Sequence, residues 1–460
     1  MRLPSLLAGL VITSFLTACV PTPPTEVSKG FIDGRTTDQG LPAMQAFLPG
    51  APVGAMRSNA EIAADFLDLE FRMESGRALP VMTRFEGPIT IGLKGNVPAI
   101  ALTELQRVLG RIRSEAGLDV SMARPGTEPS IIIDFQPKSA LRRAVPSAAC
   151  FVVPNVSSFG EYMKERRTST TDWGRITKRE KATIFVPADT SPQEIRDCLH
   201  EELAQAMGPL NDLFRLPDSV FNDDNFHAVL TGFDMLMLRV HYAPELRSGM
   251  NEAEVAARLP AILARLNPAG QGRGGTVKSL SPRMWISTVE STFSGRNGAR
   301  IASAERLIAI ARAQGWSNDG RMAFSYFARA RARTGNDIAG AIADYNEAAR
   351  IWRSTPGAAI HVAHVDMQLS AFALSSGQFD QVLTMTERAI PVARQHQNAS
   401  LLSSLLAMRA EALETLGRRD EARSARLDSL GWARYAFGSD AQVRARMSDI
   451  AALASRGARG

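Results

Sequence analysis

The chain has 460 residues and a mass of 49.8 kDa, and 45% of its residues are hydrophobic and 22% charged. This composition excludes a disordered chain, and the length predicts two or three domains. The formal charge of +6 is too dilute over this length to indicate a nucleic-acid-binding protein. The three cysteines, Cys19, Cys150 and Cys198, are too few for a disulfide-rich scaffold and too widely spaced for a zinc ribbon.

The amino terminus has the pattern of a secretory signal. Arg2 precedes an apolar stretch, residues 6–16, which is too short to span a bilayer but suits the core of a signal peptide. The sequence Leu-Thr-Ala-Cys follows at positions 16–19 and resembles the lipobox of bacterial lipoproteins. The resemblance implies that residues 1–18 are removed and that Cys19 is acylated. An ordinary signal peptide that is cleaved nearby is the alternative.

Acylation of Cys19, for example with palmitate, would anchor the protein to a membrane, since each buried methylene contributes about 0.8 kcal/mol. Val20 and Pro21 stand where lipoproteins retained in the inner membrane commonly have an aspartate. We therefore expect a cell-envelope protein that faces the periplasm, with the outer membrane preferred. In that oxidising compartment the other two cysteines could form one disulfide, and two separate buried thiols are the alternative.

The hydrophobic pattern divides the rest of the chain into four segments. Residues 19–59 are rich in Pro, Thr and Gly and predict a tether. Residues 60–262 predict an α+β domain, residues 263–297 a linker, and residues 298–460 an all-α domain. Within the α+β domain we predict strands and two helices, with these positions: strands at 87–93, 131–135, 150–153 and 182–186, and helices at 101–116 and 191–207.

The C-terminal segment repeats itself about every forty residues. A glycine turn precedes a helix at Gly335, Gly377 and Gly417, and small residues follow within each helix. This arrangement resembles tetratricopeptide repeats, although most of the family's aromatic positions are absent. The resemblance implies paired helices that stack and bind a protein partner. An irregular helical bundle without a binding groove is the alternative. The small residues are Ala348, Ala389 and Ser429.

The helix at 191–207 carries the most informative motif. A zinc-peptidase HExxH motif starting at His200 fails, because Ala204 occupies the position of the second ligand. Shifted by one residue, the spacing resembles the extended zincin pattern HExxHxxGxxH/N/D with every histidine replaced. In that pattern, ligands four residues apart share a helical face, and the glycine lets the chain turn toward a third ligand. The matching positions are Glu201, Glu202, Gln205, Gly208 and Asn211.

Two further stretches extend the resemblance to zincins. Residues 230–234 and 238–242 resemble the turn and terminal helix of matrixin-like zincins. The predicted order of a strand near Ile91, a helix, a strand at Ile131 and an edge strand at Ile184 resembles their N-terminal subdomain. The resemblance therefore implies a zincin-like fold for residues 60–262.

The replaced histidines argue against zinc. Glu201, Gln205 and Asn211 or Asp212 offer only oxygen atoms, whereas zinc prefers His nitrogen or Cys sulfur. We expect no cofactor in the zincin-like domain. Two alternatives remain: an oxygen-ligated divalent metal ion such as calcium, magnesium or manganese, and a zinc hydrolase with Glu202 as the general base.

Other candidate metal ligands lie elsewhere. Asn222, Asp223 and Asp224 could bind a cation, but we expect a solvent-exposed acidic turn. His361 and His364 are three residues apart on a predicted helix, and no third ligand is evident from the sequence. Residues from about 60 to 260 also resemble a family of Gram-negative lipoproteins that is known only as a domain of unknown function, which implies no established activity.

Two classes of function follow. The favoured prediction is a lipid-anchored periplasmic protein with an inactive zincin-like domain, which binds an envelope protein or assists assembly through its helical repeats. The alternative is a membrane-anchored metallohydrolase, acting on peptides or envelope polymers, with Glu202 as general base. Neither reading involves nucleic acid.

Overall fold

The computed structural model describes residues 41–47, 57–146, 148–295 and 297–458. Over these ranges the chain forms an α/β region followed by an all-helical region. Cys19 and the predicted signal peptide lie outside the described residues, so the lipidation of Cys19 stays a prediction. None of the helices described here is long and apolar enough to cross a membrane.

The first region is built on a five-stranded mixed sheet with the order β2-β1-β3-β5-β4. All neighbouring pairs are parallel except β4 and β5, which are antiparallel. The sheet is thus more parallel than the predicted α+β class implies. The strands are β1 (Ile89–Gly95), β2 (Val120–Met122), β3 (Ile131–Gln136), β4 (Phe151–Pro154) and β5 (Ala182–Pro187).

The four predicted strands are confirmed, and the short β2 was missed. The prediction of an edge strand at Ile184 was wrong, because β5 lies between β3 and β4. All six residues of β5 are buried, as expected for a strand covered on both faces and paired along both sides. The edge on this side of the sheet is β4, which has partly exposed residues at its start.

Eight α-helices accompany the sheet in the part of the chain that the structure describes. The predicted helix at 191–207 is confirmed as α5, and the Oγ of Ser191 caps it by accepting a hydrogen bond from the backbone N–H of Glu194. The helices are α1 (Asn59–Glu70), α2 (Ala99–Arg111), α3 (Lys138–Ala144), α4 (Phe159–Glu165), α5 (Pro192–Met207), α6 (Gly232–His241), α7 (Glu252–Ala256) and α8 (Leu259–Leu266). A π-helical turn, Ile112–Ala116, continues α2.

The second region is helical throughout. Its helices are α9 (Arg283–Ser294), α10 (Asn297–Ala313), α11 (Gly320–Arg333), α12 (Ile338–Arg353), α13 (Ala359–Ser375), α14 (Phe379–Gln395), α15 (Ala399–Thr415), α16 (Arg419–Phe437) and α17 (Asp440–Gly457). The segment 263–297, predicted as a linker, contains the end of α8 and the whole of α9. The side chain of Trp285 on α9 is fully buried in the helical core, so α9 belongs to this region.

The glycine turns separate successive helices as predicted. Gly377 and Gly417 have φ angles of 75° and 77° in the turns before α14 and α16, a conformation that glycine adopts without strain. Ala348, Ala389 and Ser429 are buried within their helices. The helical content of the region is confirmed, and its assignment to tetratricopeptide repeats stays a prediction.

Among the described residues, three hydrophobic clusters hold the molecule together: a large one in each region and a small one where α3 and α4 pack on β4 and β5. The helical core also contains Phe214 and Phe226, which come from the loop between α5 and α6 of the first region. Part of the predicted tether is packed as well, because the ring of Phe47 stacks on Trp432 of α16 at 4.2 Å between centroids. The two regions therefore share a core, and burial of these rings stabilises their association.

Candidate functional site

A cavity of about 880 Å³ lies where α5 and β4 of the first region face α9 and α11 of the second. The aromatic rings of Trp173, Phe214 and Phe324 form part of its wall. Two arginines, Arg166 and Arg331, also line it, so acidic side chains greatly outnumber basic ones. The acidic side chains are Glu74, Glu201, Glu202, Asp212, Asp223, Asp224 and Glu290.

The helix that supplies two of these acids is held at its C-terminal end. The guanidinium of Arg179 donates hydrogen bonds to the carbonyls of Gln205 and Ala206, both at 2.9 Å. The hydroxyl of Tyr242 donates to the carbonyl of Met207 at 2.8 Å. These bonds satisfy carbonyls that the end of a helix leaves without partners, and they fix the direction of α5 toward the cavity.

A disulfide between Cys150 and Cys198 joins the residue before β4 to the middle of α5. It ties one wall of the cavity to the helix that carries Glu201 and Glu202. After α5, the chain turns at Gly208, where a Cβ atom would lie 2.8 Å from Cδ2 of Leu238. Only a residue without a side chain allows this close approach of the turn to α6.

The loop after this turn brings two further acids to the cavity. The side-chain amide of Asn222 donates to the carbonyl of Leu216 at 2.7 Å, and the backbone N–H of Leu213 donates to the carbonyl of Phe221 at 2.9 Å. These bonds fold the loop back on itself. As a result, Asp212 at its start and Asp223 near its end reach the same cavity.

Three carboxylates converge within the cavity. One oxygen from each of Glu74, Asp212 and Asp223 lies within 4.8 Å of the other two. The Nε2 of Gln205 donates to Oδ2 of Asp212 at 3.0 Å. Across the described residues, this is the one group of three or more His, Cys, Asp or Glu side chains arranged closely enough to share a metal ion.

Two buried carboxylate oxygens in the same place have no hydrogen-bond donor among the described residues. They are Oε2 of Glu202, a residue that is 3% exposed, and Oδ1 of Asp212, a residue that is 8% exposed. An unpaired buried polar oxygen is unfavourable, because it has lost water without gaining a partner. The cavity thus holds carboxylates that the protein itself does not satisfy.

Burial and mutual repulsion raise the pKa values of these acids. Burial, followed by the charges of Asp223 and Glu74, raises the pKa of Glu201 to about 8. Burial and then the charge of Glu74 raise the pKa of Asp223 to about 7. The pKa values of Glu202 and Asp212 are raised well above their usual range, again mainly by burial. The cluster therefore exchanges protons near neutral pH.

Most of the predicted site residues meet in this cavity. Glu201, Glu202, Gln205 and Asp212 all line it. Asn211 is not among the lining residues, and its role as a ligand stays a prediction. Its side-chain amide donates to the carbonyl of Asp68 at 2.9 Å, so the turn after α5 is anchored to α1 by Asn211 and reaches the cavity through the next residue.

The structure also excludes the motif that begins at His200. This side chain is buried on another side of α5, where its Nδ1 accepts a hydrogen bond from the backbone N–H of Leu230 at 3.2 Å. Glu74 is the ligand candidate that sequence reasoning missed. It lies in the loop after α1, 138 residues before Asp212, and no motif surrounds it.

The other candidate ligands serve the contact between the two regions. Asn222 is buried and Asp224 is half-buried, whereas Asp223 is exposed to solvent at the cavity, so the expected solvated acidic turn holds for Asp223 alone. The Nε2 of His361 lies 2.8 Å from Oδ2 of Asp224, and His364 lies 3.4 Å from the side-chain nitrogen of Asn398. Both histidines line the junction between the regions.

Fold and cavity together define an α/β domain whose acidic site is closed by a helical region. Residues 59–261 match the family model described as Protein of unknown function (DUF2927). The predicted resemblance to a domain of unknown function is therefore confirmed for this part of the chain. No curated protein and no solved structure matches the chain.

Proposed function

We propose that this protein is a lipid-anchored hydrolase of the cell envelope, whose active site is the acidic cavity and whose general base is Glu202. One observation carries the proposal: the Oε2 of Glu202 is buried in the cavity wall and has no hydrogen-bond donor among the described residues. A carboxylate that merely stabilised the fold would be paired, because an unpaired buried acid is costly.

The neighbourhood of Glu202 suits proton transfer. The charges of Glu201 and Glu74 add to the effect of burial and raise its pKa. Glu202 thus binds a proton more readily than an ordinary glutamate, and it becomes a base as the pH rises or as a positive charge enters the cavity. The cavity of about 880 Å³ can hold several residues of a peptide or polymer next to this group.

Hydrolysis can be tested with Glu202→Gln, which keeps the size of the side chain and removes the base. Purified protein and this variant are incubated with peptide libraries and with cell-wall fragments, and products are detected by mass spectrometry. We expect cleavage by the original protein, increasing with pH, and a loss of about 100-fold or more in the variant. Glu290→Gln is the control, because Glu290 lines the cavity but pairs with Arg283 at 3.0 Å.

Two outcomes would contradict the hydrolase. The first is the absence of cleavage from every peptide and cell-wall fragment over the whole pH range. The second is cleavage that Glu202→Gln leaves intact.

Anchoring through Cys19 is part of the same proposal and is supported by the lipobox-like sequence at positions 16–19. Cys19→Ser should move the protein from the detergent phase to the aqueous phase in a phase-partition experiment. An unchanged partition would argue for an ordinary signal peptide.

The protein-binding role of the helical repeats stays a prediction. This role has less support than hydrolysis in the cavity, because part of the helical region's apolar surface is used within the molecule to bury Phe214 and Phe226. Deleting the helices after residue 298, to look for a lost partner, would also expose these rings.

A further inference from the structure

The arrangement of the three converging carboxylates fits a cation. Calcium binds oxygen ligands at about 2.3–2.6 Å, so two of its ligand oxygens lie at most about 5 Å apart. The oxygens of Glu74, Asp212 and Asp223 lie within 4.8 Å of one another. Three equidistant oxygens around one calcium ion lie at most about 4.5 Å apart, so the three side chains need at most a small shift to bind the same ion, and water molecules can complete its coordination.

A second observation points independently to a positively charged ligand. Oε2 of Glu202 and Oδ1 of Asp212 are buried beside this group and lack donors among the described residues. The carboxyl group of Asp212 interacts directly with that of Glu74, another acid. Only a proton or a cation can satisfy oxygens that face one another in this way.

The surrounding charges favour a cation over a proton as pH rises. Among the described residues, seven acids and two arginines line the cavity, and the charge of Arg283 also acts on Glu74 and Asp223, so the net charge is negative once the acids ionise. Every candidate ligand atom is an oxygen, which suits hard divalent ions and suits zinc poorly. Glu74 and Asp223 are in contact with solvent, which leaves an entry path for the ion.

We propose that Glu74, Asp212 and Asp223 bind one calcium ion in the cavity, with Glu202 beside it. This site replaces the ligand set predicted from the sequence, of which only Asp212 remains. The inference does not depend on the proposed hydrolase: if both hold, the bound ion lowers the proton affinity of Glu202 and makes it a base at neutral pH.

Calorimetric titration of the full chain, freed of metal with a chelator, tests the site without any substrate. We expect one Ca²⁺ ion per chain, and weaker binding of Zn²⁺ than of Ca²⁺. Asp212→Asn and Asp223→Asn should each weaken Ca²⁺ binding by about tenfold or more. Glu194→Gln, which removes an acid of α5 that does not line the cavity and is paired with Lys138, should change the affinity by less than about threefold.

Thermal unfolding separates lost binding from lost folding. Ca²⁺ should raise the unfolding temperature of the original chain and should not raise that of Asp223→Asn, whose residue lies in contact with solvent and is not needed for the core. The proposal is wrong if no Ca²⁺ binds at millimolar concentration, if Zn²⁺ binds more tightly than Ca²⁺, or if both ligand variants bind Ca²⁺ as the original chain does. Failure to find hydrolysis would leave the calcium site untouched.

Discussion

Single residues in the cavity differ in role according to their burial and partners. Glu201 and Glu194 lie on the same helix, but Glu194 forms an ion pair with Lys138 at 2.7 Å, whereas Glu201 faces other acids. The first carboxylate is paired with a positive charge. The second gains protons more readily on folding, since its neighbours repel its charge.

This difference predicts how Glu201→Gln changes stability. The pKa of Glu201 rises from its ordinary 4.5 to about 8 on folding, so its ionisation opposes folding increasingly as the pH rises from 4.5 to 8. In metal-free protein we expect the variant to be more stable than the original at pH 8, by about 1–3 kcal/mol, and equally stable at pH 4.5. Urea unfolding followed by circular dichroism at both pH values measures this.

Glu194→Gln provides the control on the same helix. Because this carboxylate has a cationic partner, its replacement should give no gain at pH 8. The measured quantity is the difference in free energy of unfolding between Glu201→Gln and the original chain. If this difference is the same at pH 8 as at pH 4.5, the acids of the cavity do not repel one another.

The residues of the site were predictable only where they lie on one helix. Glu201, Glu202 and Gln205 are close in sequence and share a helical face, so their spacing was sufficient. Asn211 and Asp212 follow the end of the helix, where the side chains of neighbouring residues point in opposite directions. The sequence therefore did not show which of the two faces the cavity. Glu74 reaches the cavity from a loop that no local pattern marks.

At the level of elements, the disulfide determines how firmly α5 is joined to the sheet. Cys198 is buried in the first hydrophobic core, and its bond to Cys150 closes a loop with a sequence separation of 48 residues. A closed loop of this length restricts the unfolded chain, and the usual contribution to stability is about 2–4 kcal/mol. Because Cys198 lies one helical turn before Glu202, the bond also holds the proposed base in place.

Reduction should therefore destabilise the protein. We expect dithiothreitol to lower the free energy of unfolding by about 2–4 kcal/mol, measured by urea unfolding. The double variant Cys150→Ala and Cys198→Ala should show the same loss without the reductant and no further loss with it. If dithiothreitol leaves the free energy of unfolding of the original chain unchanged, the two cysteines remain separate thiols in solution.

Some elements could be predicted and others could not, for physical reasons. The strands β3 and β5 are continuous apolar runs, and α5 has a serine cap and a terminal glycine. The short β2 has too few residues to show a period, and its pairing with β1 stabilises it. Helix α9 follows a glycine-rich stretch and was assigned to a linker, yet Trp285 holds it in the helical core.

For the whole molecule, the junction between the regions collects four of the six histidines. His227 comes from the first region, and His361, His364 and His396 come from the helical one. Burial, strengthened by the neighbouring histidine charges, lowers the pKa values of His364 and His396 to about 3. The acidic groups at this junction are Asp218 and Asp224, which partly offset the effect of burial on His227.

Low pH should therefore weaken the contact between the two regions. His364 and His396 bind protons more weakly in the folded chain than in the unfolded chain. Their contribution to the free energy of unfolding is therefore complete above pH 6.5 and is lost as the pH falls toward 3. For each of the two, we expect the free energy of unfolding to fall by about 1.4 kcal/mol per pH unit in this range. Urea unfolding of His364→Gln between pH 6.5 and 4 should show a smaller dependence on pH. If the free energy of unfolding of His364→Gln depends on pH as that of the original chain does, His364 does not contribute to the loss of stability in acid.

The sequence by itself determined that a region of strands and helices precedes an all-helical one, the position of α5, the candidate base and the lipobox-like signal, because each depends on residues close together in the chain. Only the tertiary structure decided that Glu74 and Asp223 join Asp212, that Asn211 turns away, and that Phe214 and Phe226 belong to the helical core. Those features depend on where loops return in space, and the packing of distant elements sets those positions.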